Sequence, residues 1–104
     1  MFWSHIINQN ISDTTFGLES FAELLSISRS VLHRKITSLT GESPGELIRR
    51  IRLKRASQLI EQNFGNMSEI SLEVGFNNPS QFARSFHKQF GVSPSEYQQK
   101  YKDK

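Results

Sequence analysis

Apolar residues recur every three or four positions along most of the chain, the spacing that places them on one face of an α-helix. Short polar turns containing Gly, Ser, Asn or Pro separate these stretches. The first stretch contains Phe2, Trp3, Ile6 and Ile7. The pattern therefore predicts an all-α chain of consecutive helices.

The longest predicted helix covers residues 43–63. Ser43 and Glu46 have the spacing of a capping box, and Pro44 lies at the first helical position, where its missing N–H costs nothing. The apolar residues form two sets about a third of a turn apart: Leu47, Ile48 and Ile51, then Leu53, Ala56, Leu59 and Ile60. Two sets favour a connector between two cores, but periodicity alone is equally compatible with one helix of a single-core bundle.

The flanks of this central helix resemble one another. Residues 32–36 align with residues 82–86 at an offset of 50, and the same offset aligns a Gly-x-Ser-Pro-x-Glu motif at 41–46 with its copy at 91–96. Such a match in one register indicates an internal duplication. The sequence therefore predicts an N-terminal helix with a first lobe over residues 1–42, a connecting helix over 43–63 and a second lobe over 64–104.

Each copy contains a short helix, a turn of three or four residues and a second helix. The inward sides of the second helices are predicted to carry Leu32, Ile36 and Leu39 in the first copy, and Phe82, Phe86 and Phe90 in the second. The residues left facing outward are Arg29, Ser30, His33, Arg34 and Thr37 in the first copy, and Ser80, Gln81, Arg84, His87 and Lys88 in the second.

This arrangement is that of a helix-turn-helix motif, and it occurs twice. When such a motif binds DNA, its second helix enters the major groove, where an Arg donates two hydrogen bonds to guanine. A connector of about 17 to 20 residues is roughly 25–30 Å long, close to the ~34 Å between successive major-groove faces on one side of a duplex. The sequence therefore favours a double-stranded DNA operator as the partner.

The distribution of charge also favours a polyanionic partner. The formal net charge is only +3, yet basic residues crowd the middle of the chain against only Glu42 and Glu46. These basic residues are Arg29, Arg34, Lys35, Arg49, Arg50, Arg52, Lys54 and Arg55. A solvated helix face is the more common meaning of such a run, and the duplicated motif is what favours DNA here.

Other classes of function find little support. The chain has no cysteine, which excludes disulfides and thiolate metal sites, and no apolar run approaches the ~20 residues of a membrane span. His5, His33 and His87 lack metal-ligand spacing, and there is no catalytic triad pattern or Gly-rich phosphate loop. We expect no cofactor, no enzymatic activity and a cytoplasmic location without membrane contact. The main alternative is a helical protein-protein interaction module that does not bind DNA.

Two runs, LHRKITSLTGESPGELIRRIRLKRASQLI and EISLEVGFNNPSQFARSFHKQFGVSPSEY, resemble the DNA-binding domain of the AraC/XylS family of bacterial transcription regulators. The similarity covers about residues 16–101. It implies seven helices, two helix-turn-helix subdomains joined by the central helix, and sequence-specific operator binding. The same residues are similar to the C-terminal output domains of hybrid two-component sensors, which implies a sensory or receiver domain outside this chain. RNA polymerase is a further candidate partner.

Carried over by position, the resemblance makes residues 28–39 and 79–90 the two reading helices. It assigns base contacts to Ser30, His33 and Arg34 in the first and to Ser80, Gln81 and Arg84 in the second. The residues expected to contact the DNA backbone are Arg29, Thr37, Arg52 and Lys88. Because the second helix offers few long side chains, we expect Arg84 to provide most of its base readout, with weaker sequence discrimination than the first.

The first turn departs from the family pattern. It has Ser26 where family members often have Gly, as the second copy does at Gly75. If Ser26 must adopt a positive φ, the strain costs about 1 kcal/mol. The first lobe is then expected to be the less stable one.

Overall fold

The computed structural model describes residues 2–102, and over this range the chain forms seven α-helices and no strand. The helices are α1 (Phe2–Gln9), α2 (Leu18–Leu25), α3 (Arg29–Thr40), α4 (Pro44–Glu61), α5 (Met67–Glu73), α6 (Pro79–Phe90) and α7 (Pro94–Lys102). The predicted all-α class, with two helix-turn-helix units joined by a long central helix, is confirmed.

The start and the end of α4 follow from local sequence. At the start, the Glu46 N–H donates to the Ser43 hydroxyl at 3.2 Å, and the Ser43 N–H donates to the Glu46 carboxylate at 2.9 Å. These two bonds complete the predicted capping box. At the other end α4 stops at Glu61, before the predicted residue 63, because Asn63 adopts a left-handed φ of 54° that cannot continue the helix.

Two hydrophobic cores lie along α4, and each takes one of its two apolar sets. The first core contains Ile7, Phe16, Phe21, Ala22, Leu32, Ile36, Leu47, Ile48 and Ile51. The second core contains Leu53, Ala56, Leu59, Ile60, Ile70, Val74, Phe76, Phe82 and Phe86. The central helix is therefore a connector, and the single-core alternative is wrong. The exact lobe boundaries at residues 42 and 64 stay a prediction.

The outer helices close the two cores. From α1, Ile7 is fully buried and the Trp3 ring lies edge-on to Phe21; the side chain of Phe2 lies outside those that the structure describes. From α7, the Tyr97 ring packs against Phe86, and its hydroxyl donates to the Glu61 carboxylate at the end of α4. The described chain measures 46 × 23 × 23 Å, and none of its helices is both long and apolar enough to cross a membrane.

Two residues that were predicted to face the cores, Leu39 and Phe90, are less buried in the structure than expected. Leu39 was predicted to face inward, but its side chain is 72% exposed. The next inward position after Leu32 and Ile36 is taken by Thr40, which is half-buried and donates its hydroxyl to the Ile36 carbonyl at 2.7 Å. At the end of α6 Phe90 is only partly buried, on the edge of the second core.

Candidate nucleic-acid interface

The turns of the two helix-turn-helix units have the same backbone geometry. In the unit formed by α2 and α3, the Ile27 N–H donates to the Ala22 carbonyl at 3.1 Å. In the unit formed by α5 and α6, the equivalent bond joins the Phe76 N–H to the Ser71 carbonyl at 2.9 Å. Each second helix then begins at a side-chain cap, Ser28 for α3 and Asn78 for α6. The duplication seen in sequence is therefore repeated in the local structure.

The outer face of α3 exposes every residue that the sequence assigns to DNA there. Ser30, His33, Arg34 and Thr37 are exposed, and with Arg29 they line one shallow surface groove. Within residues 2–102 Arg34 forms no ion pair with a carboxylate. Its guanidinium group is therefore available to a ligand.

Three of the other α3 side chains have intramolecular partners. Arg29 donates to the Glu19 carboxylate of α2 at 3.1 Å, with both side chains mostly exposed. The Thr37 hydroxyl lies 3.5 Å from His33 Nδ1. Exposed pairs of this kind contribute little free energy, so a phosphate group can replace the carboxylate at Arg29.

The outer face of α6 is exposed as well. Asn78 Oδ1 accepts from the Ser80 and Gln81 N–H groups at 2.9 and 3.2 Å, which orders the first turn of the helix. Arg84 and Lys88 are exposed one turn apart and form no ion pair among the described residues. Together with Gln81, they complete the second set of sequence-assigned residues on one helix face.

A groove between α6 and the first half of α4 continues this basic surface. Arg84 and Lys88 line one wall, and Arg49 and Glu46 line the other. Hydrogen bonds from the Ser43 N–H and hydroxyl hold the pKa of Glu46 below its usual value, and the charges of Arg49 and Lys88 lower it further. Cations therefore outnumber carboxylates where α4 faces the second reading helix.

Arg49 lies on this basic surface, although the sequence did not place it among the expected DNA contacts. It is exposed and lines both grooves between α4 and α6, including the one that contains Gln81. It belongs to the basic run seen in the sequence, but the two apolar sets of α4 do not show which of its basic residues face α6. The sequence shows that α4 is basic, but only the three-dimensional packing shows that Arg49 lies beside α6.

Arg52 lies elsewhere. It is half-buried, and its Nη2 donates to the carbonyl oxygens of Asp13 and Phe16 at 2.8 and 3.2 Å. Burial lowers the pKa of Arg52, and the nearby Asp13 charge partly opposes this effect. Because Nη2 donates to loop carbonyls and Nε is buried, the position of Arg52 does not support the predicted contact with the DNA backbone.

The described residues contain no cluster of three or more His, Cys, Asp or Glu side chains placed to hold a metal ion. The helices α3 and α6 expose two rows of hydrogen-bond donors, and each row has one guanidinium group, Arg34 or Arg84, without an ion pair within residues 2–102. Such rows suit phosphate oxygens and base edges.

Known proteins share both the sequence and the fold. A family model described as a helix-turn-helix domain matches residues 21–100. The sequence is 42% identical over 98 residues to histidine kinase P4 of Formosa agariphila. The fold is similar to the C-terminal domain of AraT, a response regulator from Geobacillus stearothermophilus, with a TM-score of 0.88, 31% identity and coverage of 95% of this chain and 82% of that chain. It is also similar to the DNA-binding domain of AdpA, a global transcriptional factor solved with a target DNA, with a TM-score of 0.85, 27% identity and coverage of 91% and 85%.

The chain spans only a small part of its full-length relatives. The match covers 94% of this chain but 7% of the Formosa kinase. The match to the transcriptional regulator MtrA of Neisseria gonorrhoeae covers 89% of this chain and 32% of that protein. The similarity therefore describes one domain and not the activity of the longer proteins.

Proposed function

The chain belongs to the AraC-type family of helix-turn-helix transcription regulators, and from that membership we propose that it binds double-stranded DNA in a sequence-specific manner. The reading elements are α3 and α6, each placed in a major groove. The domain acts as the DNA-binding part of a bacterial transcription regulator.

One observation carries this proposal: Arg34 and Arg84 occupy equivalent positions of the duplicated helices, both exposed and both without an ion pair among residues 2–102. Both reading helices thus keep a guanidinium group on the outer face, where no carboxylate among the described residues neutralises it. A guanidinium group there suits the O6 and N7 atoms of guanine.

Base contacts fall to the exposed side chains around these two arginines: Ser30 and His33 in α3, Ser80 and Gln81 in α6. The phosphate backbone is held by Arg29, Thr37 and Lys88, to which we add Arg49. The cap of α3 takes only the Val31 N–H, so the N–H groups at the start of that helix and the positive end of its dipole are offered to phosphates. In α6 Pro79 has no N–H, and those of Ser80 and Gln81 donate to Asn78, so this helix offers only the positive end of its dipole.

The connector sets the scale of the site. With 18 residues, α4 is about 27 Å long, which suits two reading helices in successive major-groove faces ~34 Å apart. The proposed operator therefore contains two boxes about one helical turn apart.

The domain belongs to a longer protein in this proposal. The similarity to a histidine kinase and to a response-regulator domain supports a sensory or receiver domain that controls the DNA-binding domain in a two-component system. The regulator then works in the cytoplasm, and RNA polymerase is its partner at the promoter.

A binding selection tests the proposal. The chain is mixed with a pool of random duplexes, the tightest fraction is sequenced, and fluorescence anisotropy measures binding at about 50 and about 200 mM salt. We expect an enriched motif with two boxes and an affinity that falls steeply with salt, because each neutralised phosphate releases a counterion.

The double variant R34A/R84A is the informative comparison, and K35A/K54A is its matched control because it removes two exposed positive charges outside the proposed base contacts. The first variant is expected to lose the motif, and the second only affinity. Absence of binding at low salt, or equal affinity for all duplexes, would contradict the proposal and turn attention to the protein-interaction alternative.

A further inference from the structure

The loop between α1 and α2, residues 10–17, lies where the two lobes meet. Ile11 in this loop is partly buried and packs against both hydrophobic cores. No other residue is shared by the two cores among those the structure describes. The loop therefore reaches the second lobe although the chain on either side of it belongs to the first.

Arg52 of α4 fastens this loop. A single Nη2 atom donates to two loop carbonyls, those of Asp13 and Phe16, 39 and 36 residues away in sequence. Its Nε is buried without a hydrogen-bond partner among the described residues. Partial burial of a guanidinium group with one unsatisfied donor is unfavourable. The hydrogen bonds of Nη2 to the loop must therefore offset this cost in free energy.

Gly75 completes the contact from the second lobe. It lies in the turn between α5 and α6, and a Cβ added there would be 2.3 Å from the Ile11 carbonyl oxygen and 2.8 Å from Arg52 Nε. The backbone of that turn therefore touches both the loop of the first lobe and the connector. It also lies only a few residues before Pro79, the start of the second reading helix.

We propose that Ile11, Arg52 and Gly75 form an interlobe clamp that fixes the position of α6 relative to α3 and thereby the spacing of DNA boxes that the domain accepts. Arg52 is the positioning residue of this clamp. The inference rests on the proposed function. Without the clamp, α4 is the main link between the lobes among the described residues, and a long helix can curve along its length.

The test uses duplexes with the two selected boxes at the selected spacing, with one base pair added or removed between them, and with one box alone. One base pair moves a box by about 3.4 Å and turns it by roughly a tenth of a helical turn. The wild-type chain is expected to prefer the selected spacing strongly, because both reading helices fit only there.

Loss of the clamp should weaken that preference and nothing else. For R52A we expect the affinity ratio between selected and shifted duplexes to shrink by about tenfold, with single-box affinity within about twofold of wild type. R52M keeps a long stem in the half-buried position without donors, and it answers the question if R52A does not fold. K54A, which removes an exposed charge of the same helix, should leave the ratio unchanged.

A second measurement does not depend on DNA. The chain has no cysteine, so spin labels at K35C on α3 and H87C on α6, both at exposed positions, report the distance between the reading helices by pulsed electron paramagnetic resonance. R52M should broaden the distance distribution, and K54A should not.

The outcomes separate the two proposals. If no duplex binds, the proposed function fails, while the distance distribution still tests the clamp. If R52A and R52M keep both the spacing preference and a narrow distribution, the clamp is wrong. If they lose single-box affinity with a smaller salt dependence, Arg52 contacts phosphate and the clamp is also wrong.

Discussion

Ser26 and Gly75 occupy the same position in the two helix-turn-helix units, and both adopt positive φ angles, 56° and 92° respectively. The turn requires this left-handed conformation in each unit because the following N–H donates back to the first helix. Only Gly adopts it without steric strain. The same backbone geometry is therefore strained in the first unit and relaxed in the second.

Replacing Ser26 with Gly should stabilise the first lobe. The substitution removes the Cβ strain of the left-handed conformation, worth about 1 kcal/mol in the free energy of unfolding, less the entropy that Gly adds to the unfolded chain. Urea denaturation followed by circular dichroism measures it. The control S38G, at an exposed position inside α3, should destabilise by about 0.5 kcal/mol, and a loss of stability in S26G would show that Ser26 is not strained.

Replacing Gly75 with Ala should be far more harmful than the same change at Gly91. Both glycines have positive φ, 92° and 80°, but a Cβ at Gly91 meets nothing within 4 Å. G91A therefore incurs only the backbone strain of about 1–2 kcal/mol. G75A adds overpacking against the Ile11 carbonyl and Arg52, for a further 1–3 kcal/mol or so. Equal unfolding midpoints for the two variants would mean that the loop moves away freely.

The base-reading roles of Arg34 and Arg84 predict losses at different boxes. R34A should cost roughly 1–3 kcal/mol on the selected operator and relax the preference at one base pair of the first box. R84A should have the same effect in the second box and abolish most of the sequence preference there, since α6 carries few other long side chains. K35A is the control and should weaken all duplexes alike. A uniform loss in R34A as well would assign Arg34 to the phosphate backbone.

Most of the fold could be predicted from the sequence because its signals are local. Each signal depends on spacing within one helix: the capping residues, the prolines at first helical positions and the two apolar sets of α4. The duplication repeats the capping and proline signals in a second copy, which supports the same prediction there. The prediction that Leu39 faces inward was wrong because periodicity alone does not show that the half-buried Thr40 takes the next inward position.

The candidate site was predictable in part for the same reason. The residues of α3 and α6 follow from helical spacing, and all of those assigned to bases are exposed in the structure. Arg49 and Arg52 could not be separated, since both lie in one basic run. The position of Arg52 depends on hydrogen bonds to residues 39 and 36 positions away, and that of Arg49 on its packing beside α6. Long-range packing of that kind leaves no local trace in the sequence.

The capping boxes at Ser43 and Ser93 predict a specific acid sensitivity. In both, hydrogen bonds from the serine N–H and hydroxyl hold the pKa of the glutamate, Glu46 or Glu96, below its usual 4.5. A lowered pKa in the folded state means that the stabilisation is complete above the unfolded pKa and is lost as the pH falls through the folded value.

The double variant E46Q/E96Q retains a hydrogen-bonding side chain but cannot be protonated. The difference in thermal midpoint between wild type and variant, measured by circular dichroism from about pH 7 to about pH 3, should therefore be largest at neutral pH and narrow below about pH 4.5. Parallel curves across this range would show that the two carboxylates contribute no charge-dependent stability.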